Sequence, residues 1–504
     1  MISGPRTRAE QQEGWTFWPE VSILCVALGL YAFQLGQESL WIDEMLSIDS
    51  ARGALDLNRP LYFVLLRGWL HVGEEEVWLR SLSVLFGVAC LTLTYCLGRR
   101  LVSRSVGLVA GLLFALSPLA INHTQEVRFY MMSACLGVAG SLCLSYALEK
   151  PGVAALSGWI AFRCLGFLTA QPNLLLVVPD LVLVGGMAAA WRGRYGKAQL
   201  SLRRWGWSLG VLLVPIVLIS RDVVGPLIEF LLEQRWYAGE ACPPTVSNLV
   251  GLLAALTAWP LAGPDAASVF YQPIFKLYAV LSLVGALLPV TYRKLRSPQL
   301  IWLSLWGFVP IVLVFLLSQV FPFLWLERYA VISIPFVAIL LATSWVWVWN
   351  RRKRVAIALA LFYFVAISGP LLRYYTTDYR ADWRGLSQEI SLLAETGDPV
   401  VIYPGSFLPY IDYYYDGDAE LVPLEKIEDA ADVEREGIAN NIQALSLPSN
   451  RFWLVCPIKD QWKNAQADVL EELSKKGFVL EKTSARVNHW NWGPVLYLFE
   501  DKQS

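Results

Sequence analysis

The feature that most restricts this chain is a series of apolar runs, each long enough to cross a bilayer as a helix, which takes roughly 20 residues. Eleven can be read, at about 20–36, 78–97, 105–121, 129–148, 153–169, 173–191, 205–221, 274–291, 299–320, 329–349 and 355–372. Backbone polar groups in hydrocarbon must be satisfied within their own segment, so such runs are helices. The composition agrees: 56% of residues are apolar and 16% charged, against about 45–50% and about 25% in soluble domains. The expected fold class is an α-helical polytopic membrane protein of about eleven transmembrane helices.

Basic residues in short loops mark the cytoplasmic side. Four loops are basic: Arg99/Arg100/Arg104, Arg192/Arg194/Lys197/Arg203/Arg204, Arg293/Lys294/Arg296 and Arg351/Arg352/Lys353/Arg354. With the N-terminus inside and eleven spans, all four face the cytoplasm. The stretch 249–262 is short for a span, and a crossing there would turn two basic clusters outward; it is expected to lie at the outer surface. Segment 1–19 carries Arg6 and Arg8 but no small-x-small cleavage site follows the first apolar run, which reads as a retained helix. The expected location is the cytoplasmic membrane.

From about residue 376 the sequence changes character. Leu386, Ile390 and Leu393 share one helical face within 382–396, and Gly397 can end that helix. Strand-like runs follow at 399–403, 451–455, 477–482 and 494–499. The expected organisation is a transmembrane domain over 1–375 and an extracytoplasmic α/β domain over 376–504. The latter has no Gly-rich phosphate loop, hence no assigned nucleotide site.

Several classes are disfavoured. There is no basic tail or nucleic-acid motif, so no nucleic-acid partner is expected. The eight cysteines are scattered, with no C-x-x-C or His/Cys cluster that would suit zinc. Only His71, His123 and His489 are present, so a His-built metal site is not expected. Mg²⁺ or Mn²⁺ on carboxylates is the cation the residues could hold.

Three polar groups fall on the expected outer side. The loop after the first run reads Glu38-Ser39-Leu40-Trp41-Ile42-Asp43-Glu44. It is either a hydrated loop or a general base with a partner carboxylate. The second group, Asn122-His123-Thr124-Gln125-Glu126-Val127-Arg128-Phe129-Tyr130, opens the run at 129–148. If that helix has begun, Gln125 and Arg128 share a face, as do Glu126 and Tyr130. An interfacial anchor and an anion site at a helix N-terminus are the two readings. The third group is Trp325-Leu326-Glu327-Arg328-Tyr329. Deeper in the membrane, Arg163 and Asp180 fall at similar depth on antiparallel neighbours, and a structural ion pair is the preferred reading.

The order of motifs resembles bacterial glycosyltransferase family 39 and the protein O-mannosyltransferase-like group, within the multi-span C-type glycosyltransferase superfamily. The matching pieces are S-L-W-I-D-E (39–44), R-P-L-Y-F-V-L-L (59–66), E-V-W-L-R-S-L-S-V-L-F-G (76–87), Q-E-V-R-F-Y (125–130), L-E-R-Y (326–329), D-W-R-G (382–385) and Y-P-G-S (403–406). The resemblance implies a catalytic Asp43 acting as base and Glu44 as helper. It implies substrate binding by Arg59, Tyr62, Gln125, Glu126, Arg128, Tyr130, Glu327, Arg328 and Tyr329. Many relatives carry His-Pro-Pro where this chain reads Asn58-Arg59-Pro60. The implied partners are a polyprenyl-phosphate-linked sugar donor, a lipid, glycan or protein acceptor, and membrane lipids.

The rival class is a transporter or lipid flippase, for which Arg163 and Asp180 speak. Against it, the polar groups gather on one face and no repeated halves or broken helices are evident. The topology is directly testable. A reporter fused after residue 504 is expected to be active outside the cytoplasm; cytoplasmic activity would remove the inside-to-outside assignment and the outer-face site with it.

Overall fold

In the computed structural model the described residues are 17–53, 59–150, 152–192, 206–207, 210–211, 243–256, 271–321, 327–403, 405–424, 451–458, 470–471, 473–474, 477–486 and 493–501. The chain forms two compact units, one of Met1–Phe33 with Ser50–Leu372 and one of Gln34–Asp49 with Arg373–Ser504.

The first unit is helical. Its elements begin with α1 (Trp18–Ala32), the end of α2 (Ile42–Arg52), α3 (Pro60–Leu70), α4 (Glu76–Leu101), α5 (Arg104–Ala115) and α6 (Pro118–Thr124). They continue with α7 (Tyr130–Glu149), α8 (Val153–Thr169), α9 (Val177–Arg192), α10 (Val246–Ala255), α11 (Tyr271–Thr291), α12 (Pro298–Ser318), α13 (Ile334–Arg351) and α14 (Lys353–Thr376). Among the described residues, five helices are long and apolar enough to cross a membrane, or six if the pair α5 and α6, bent by 63°, counts as one. The architecture of several apolar helices agrees with the expected class, but the count of eleven is not established. Local sequence explains the difference. Ser117 caps α6 and Pro118 takes its first position, so the run 105–121 breaks in two. The run 173–191 divides into a 3₁₀ helix, Gln171–Leu176, and α9. The first run yields only the 15 residues of α1. Most of 205–221 lies outside the described residues, and α10 covers part of the stretch 249–262.

Helix α7 is the most enclosed of the candidate spans, with 83% of its apolar window buried, whereas α14 has 28%. Small residues explain its position, since they let neighbouring backbones approach closely. A Cβ built at Gly140 would lie 2.5 Å from Arg163 Nη1. In the space that this glycine leaves, Arg163 binds Asp180 through Nε (2.7 Å) and Nη2 (3.1 Å). The expected ion pair is therefore present, with side chains 1% and 0% exposed. It is also more than a pair. Trp159 and Trp306 donate indole N–H groups to Asp180 at 2.7 and 2.8 Å. Arg163 also donates to Gly137 O and to Ser141 Oγ. Four helices, α7, α8, α9 and α12, thus meet at one saturated centre.

The second unit holds a five-stranded sheet of order β2-β1-β3-β5-β4. The strands are β1 (Val400–Ile402), β2 (Leu421–Pro423), β3 (Arg451–Ile458), β4 (Phe478–Ala485) and β5 (Gly493–Asp501). Strand β1 pairs in parallel with β2 and β3, and β5 lies antiparallel between β3 and β4. Strand β2 carries no period-2 run long enough to be read from sequence. Helix α15 (Trp383–Leu393) buries Leu386 and Ile390. It stops short of the expected 396: Ala394 is already extended, and Gly397 sits beyond it at φ 102°. Burial works to raise the Glu389 carboxyl on α15, but hydrogen bonds from Ser484 and Arg486 and the charges of Arg486 and Lys482 outweigh it and hold it below its ordinary 4.5.

Two outcomes follow. Asp180→Asn leaves Arg163 buried with its carboxylate partner neutralised, and chemical denaturation in detergent should register a loss on the order of 3–5 kcal/mol. The exchanged pair, with Asp at 163 and Arg at 180, should recover little, because the two indoles can only donate; substantial recovery would show that the indoles contribute nothing. For Glu389 the carboxyl is depressed on folding, so its contribution is present above about pH 4.5 and is lost as pH falls through the lowered value. Glu389→Gln should flatten the dependence of stability on pH in that acidic window and leave it unchanged near neutrality.

Candidate active site

The expected acidic loop is the start of a helix. Residues Ile42–Arg52 form α2, with Asp43 and Glu44 in its first turn, where free backbone N–H groups favour negative charge. Glu44 reaches back one turn, its Oε2 accepting from Trp41 N at 3.2 Å, as a carboxylate at the third helical position commonly does. The two carboxylates differ in setting: Glu44 is 0% exposed, whereas Asp43 is half-buried. Both belong to the second compact unit. So does Tyr410, on the short helix α16 (Leu408–Asp412), whose hydroxyl is pushed up to about 12 by burial and by the charges of Asp49 and Asp43. Tyr410 stacks against Trp383 at 5.3 Å. It is a neutral phenol in the field of these carboxylates, and nothing in the local sequence signalled it.

The second group lies in the first unit, and its backbone is not the expected helix. Helix α6 ends at Thr124 and α7 begins at Tyr130, so Gln125–Phe129 is a turn between helices. The shared-face argument for these residues therefore does not hold. Gln125 Nε2 donates to the carbonyls of Leu30, Tyr31 and Phe33, closing the end of α1. Its amide hydrogens are thereby engaged in structure. Glu126 accepts from Asn122 Nδ2 at 3.1 Å and meets His123 Nδ1 at 3.0 Å. Ser83 on α4 donates to the carbonyls of Glu126 and Arg128, holding the turn.

Arginines and aromatic rings gather on the far side of this turn. The Arg59 guanidinium lies 4.3 Å over the Phe129 ring, and Arg128 lies 5.1 Å from it. Arg128 Nη2 donates to the Tyr130 hydroxyl at 3.4 Å. Tyr62 meets Phe129 edge-on at 6.1 Å. Arg328 and Tyr329 join Phe129, Tyr130 and Ser133 around a small cleft of ≈ 10 Å³ to water centres, room for about one water molecule. Glu327 opens the 3₁₀ helix Glu327–Ser333, and its side chain lies outside the described residues, as does Leu326. Sequence reasoning named His123 without giving it a role and gave none to Arg80, and both are buried (6% and 1% exposed). Arg80 stood inside a quoted motif, but a lone arginine in an apolar helix gave no sign of where it points. Among the described residues no three His, Cys, Asp or Glu side chains are placed to hold a metal ion.

Three guanidinium groups beside rings and hydroxyls can take an anionic phosphate with charge-assisted hydrogen bonds. A half-buried carboxylate at a helix N-terminus can take a proton from a hydroxyl.

Comparison with known proteins bears on this arrangement. Residues 58–220 match the family model described as dolichyl-phosphate-mannose-protein mannosyltransferase. Among curated proteins none matches. Among solved structures, ArnT from Cupriavidus metallidurans in the apo state is 14% identical, with 95% of this chain and 97% of that one covered and a TM-score of 0.55. The same protein bound to undecaprenyl phosphate gives 14%, 96%, 98% and 0.56. The Archaeoglobus fulgidus oligosaccharyltransferase tethered with an acceptor peptide is 13% identical, with 93% and 73% covered and a TM-score of 0.50. At such identities the likeness is one of fold. Residues 58–220 are thus similar to the dolichyl-phosphate-mannose-protein mannosyltransferase family, and the chain as a whole shares the fold of ArnT.

Proposed function

We propose that this protein transfers a hexose-like sugar from a polyprenyl monophosphate to an acceptor hydroxyl at the outer face of the cytoplasmic membrane. The observation that carries the reading is the group of Arg59, Arg128 and Arg328 about Phe129 and Tyr130, the first two arginines and both rings within the family match. Undecaprenyl phosphate, bound by ArnT, is a lipid monophosphate of the kind the arginines suit. In the reaction the acceptor oxygen attacks the anomeric carbon, and the bond from that carbon to the phosphate oxygen breaks. The acceptor proton passes to Asp43, and the lipid phosphate departs with the electron pair. A single displacement inverts the anomeric centre. The arginines offset charge developing on the departing phosphate. Tyr62, Tyr130, Glu126 and Tyr329 line the sugar and phosphate positions in this reading, Gln125 holds the turn, and Glu44 supports Asp43. The acceptor is a lipid, glycan or protein hydroxyl.

The transporter reading drew on Arg163 and Asp180. Their saturation by Trp159, Trp306, Gly137 and Ser141 favours a structural role.

Incubating the purified protein with a panel of radiolabelled polyprenyl-phosphate sugars and candidate acceptors is expected to give transfer from at least one donor. Asp43→Asn should lower that rate by roughly 10²- to 10⁴-fold, the usual worth of a general base, with donor binding and folding retained. Full activity in this variant would remove Asp43 from the mechanism.

A further inference from the structure

The second unit joins Gln34–Asp49 to residues that follow Arg373, and the joint is dense. Arg384 Nη2 donates to Gly36 O (3.0 Å) and Gln37 O (3.2 Å). Tyr379 N donates to Glu38 Oε1 at 2.6 Å. Ser39 Oγ donates to Asp382 Oδ1 and accepts from Arg384 N, both at 3.2 Å. The Tyr414 hydroxyl oxygen accepts from Leu40 N at 2.8 Å. Each residue from Gly36 to Leu40 is thus held by the segment Tyr379–Arg384 or by Tyr414.

The end of this series is a charge. Arg380 Nη1 lies 3.1 Å from Glu44 Oε2, and Arg380 Nε lies 3.4 Å from Glu38 Oε2. The Arg380 side chain is 9% exposed and that of Glu44 is 0% exposed. The Glu44 oxygen that takes Arg380 is the one that accepts from Trp41 N. One guanidinium therefore bridges the strap before α2 and the first turn of α2. Asp43 is the residue between Glu44 and the remainder of that turn, so its Cα position and χ1 axis follow from where Glu44 is fixed.

We propose that Arg380 is a positioning residue for sugar transfer: by bridging Glu38 and buried Glu44 it fixes the first turn of α2 and so sets the direction in which Asp43 meets the acceptor. The inference rests on the reading of Asp43 as the base. It assigns Glu44 to support, since a fully buried carboxylate engaged with a guanidinium and a backbone N–H is a tether. Lysine is a poor replacement, because a single ammonium lacks the planar fork that spans two carboxylates.

The test is a double-mutant cycle on full-length protein, with initial rates of transfer and donor affinity measured separately. A displacement of about 1 Å at a reacting group can cost about 10²-fold. Arg380→Gln combined with Glu44→Gln removes both charges without leaving either alone, which keeps the variant foldable. It should lower kcat by roughly 10- to 100-fold while KM for the donor changes little, and Arg380→Lys should restore only part of kcat. In the Asp43→Asn background the same pair of changes should cost nothing more, because a residue acting only through Asp43 has no separate effect to lose. Wild-type kcat in the neutral pair overturns the proposal. So does a further fall in the Asp43→Asn background, or a loss that tracks the folded fraction in thermal melts, since either marks a merely structural tie. Retained transfer in Asp43→Asn alone would instead sink the assignment of the base, which separates the two failures.

Discussion

A fully buried carboxylate must be met on all sides by fixed donors, and Asp180 is the place where this chain does so. Four hydrogen bonds reach it, two from Arg163 and one each from Trp159 and Trp306. Arg163 in turn donates two further hydrogens to Gly137 O and Ser141 Oγ of α7. The centre can only be complete when α7, α8, α9 and α12 occupy their places together. Its depth in the fold also matters for the surface that follows. Asn173, in the 3₁₀ helix before α9, donates to Ser133 one turn into α7. The N-terminal end of α7, which carries Tyr130 and follows Arg128, is therefore anchored to the same group of helices.

The turn Gln125–Phe129 meets the same demand with a different set of groups. It is non-helical backbone in a largely buried setting, and such backbone persists only where side chains satisfy it. Ser83 takes two of its carbonyls, and Gln125 closes the end of α1. A Cβ built at Gly87 would lie 2.8 Å from Thr124 Cγ2, so α4 can carry the turn this closely only with glycine there. The arrangement frees the chain from helical periodicity over five residues. Arg128 can then stand beside Phe129 and Tyr130, near Arg59 on another element and Arg328 on a third.

Much of this was legible in the sequence, and the reasons for the rest are local. Apolar run length located the helical segments, and the depth of Arg163 and Asp180 gave their pairing, because an unpaired charge in that position has no inexpensive alternative. Hydropathy could not show that Pro118 breaks a run or that the run 173–191 opens as a 3₁₀ helix; both are matters of capping and backbone geometry. The residue pair Asp43 and Glu44 was visible as chemistry, yet the helix beginning at Ile42 was not, since its apolar spacing is too weak to read as amphipathic. Tyr410 and Arg380 gave no signal. Arg380 meets Glu44, and Tyr410 meets the charges of Asp43 and Asp49, across more than 300 positions of chain, a separation that no window over one sequence spans.

The motif D-W-R-G shows what such long separation achieves. Asp382 caps α15 by accepting from Gly385 N at 2.8 Å, and the absence of a Cβ at 385 leaves room for its carboxylate. The same Oδ1 also accepts from Ser39. Arg384, in the first turn of the helix, fastens the carbonyls of Gly36 and Gln37. A motif that would serve a solitary helix as an N-cap is here shared with a strap from the beginning of the chain. The acidic pair is consequently divided in labour by its surroundings and not by its own sequence: Glu44, turned inward onto Arg380, is fixed by the charge it meets, and that fixation leaves Asp43 as the carboxylate of the pair with a path to solvent.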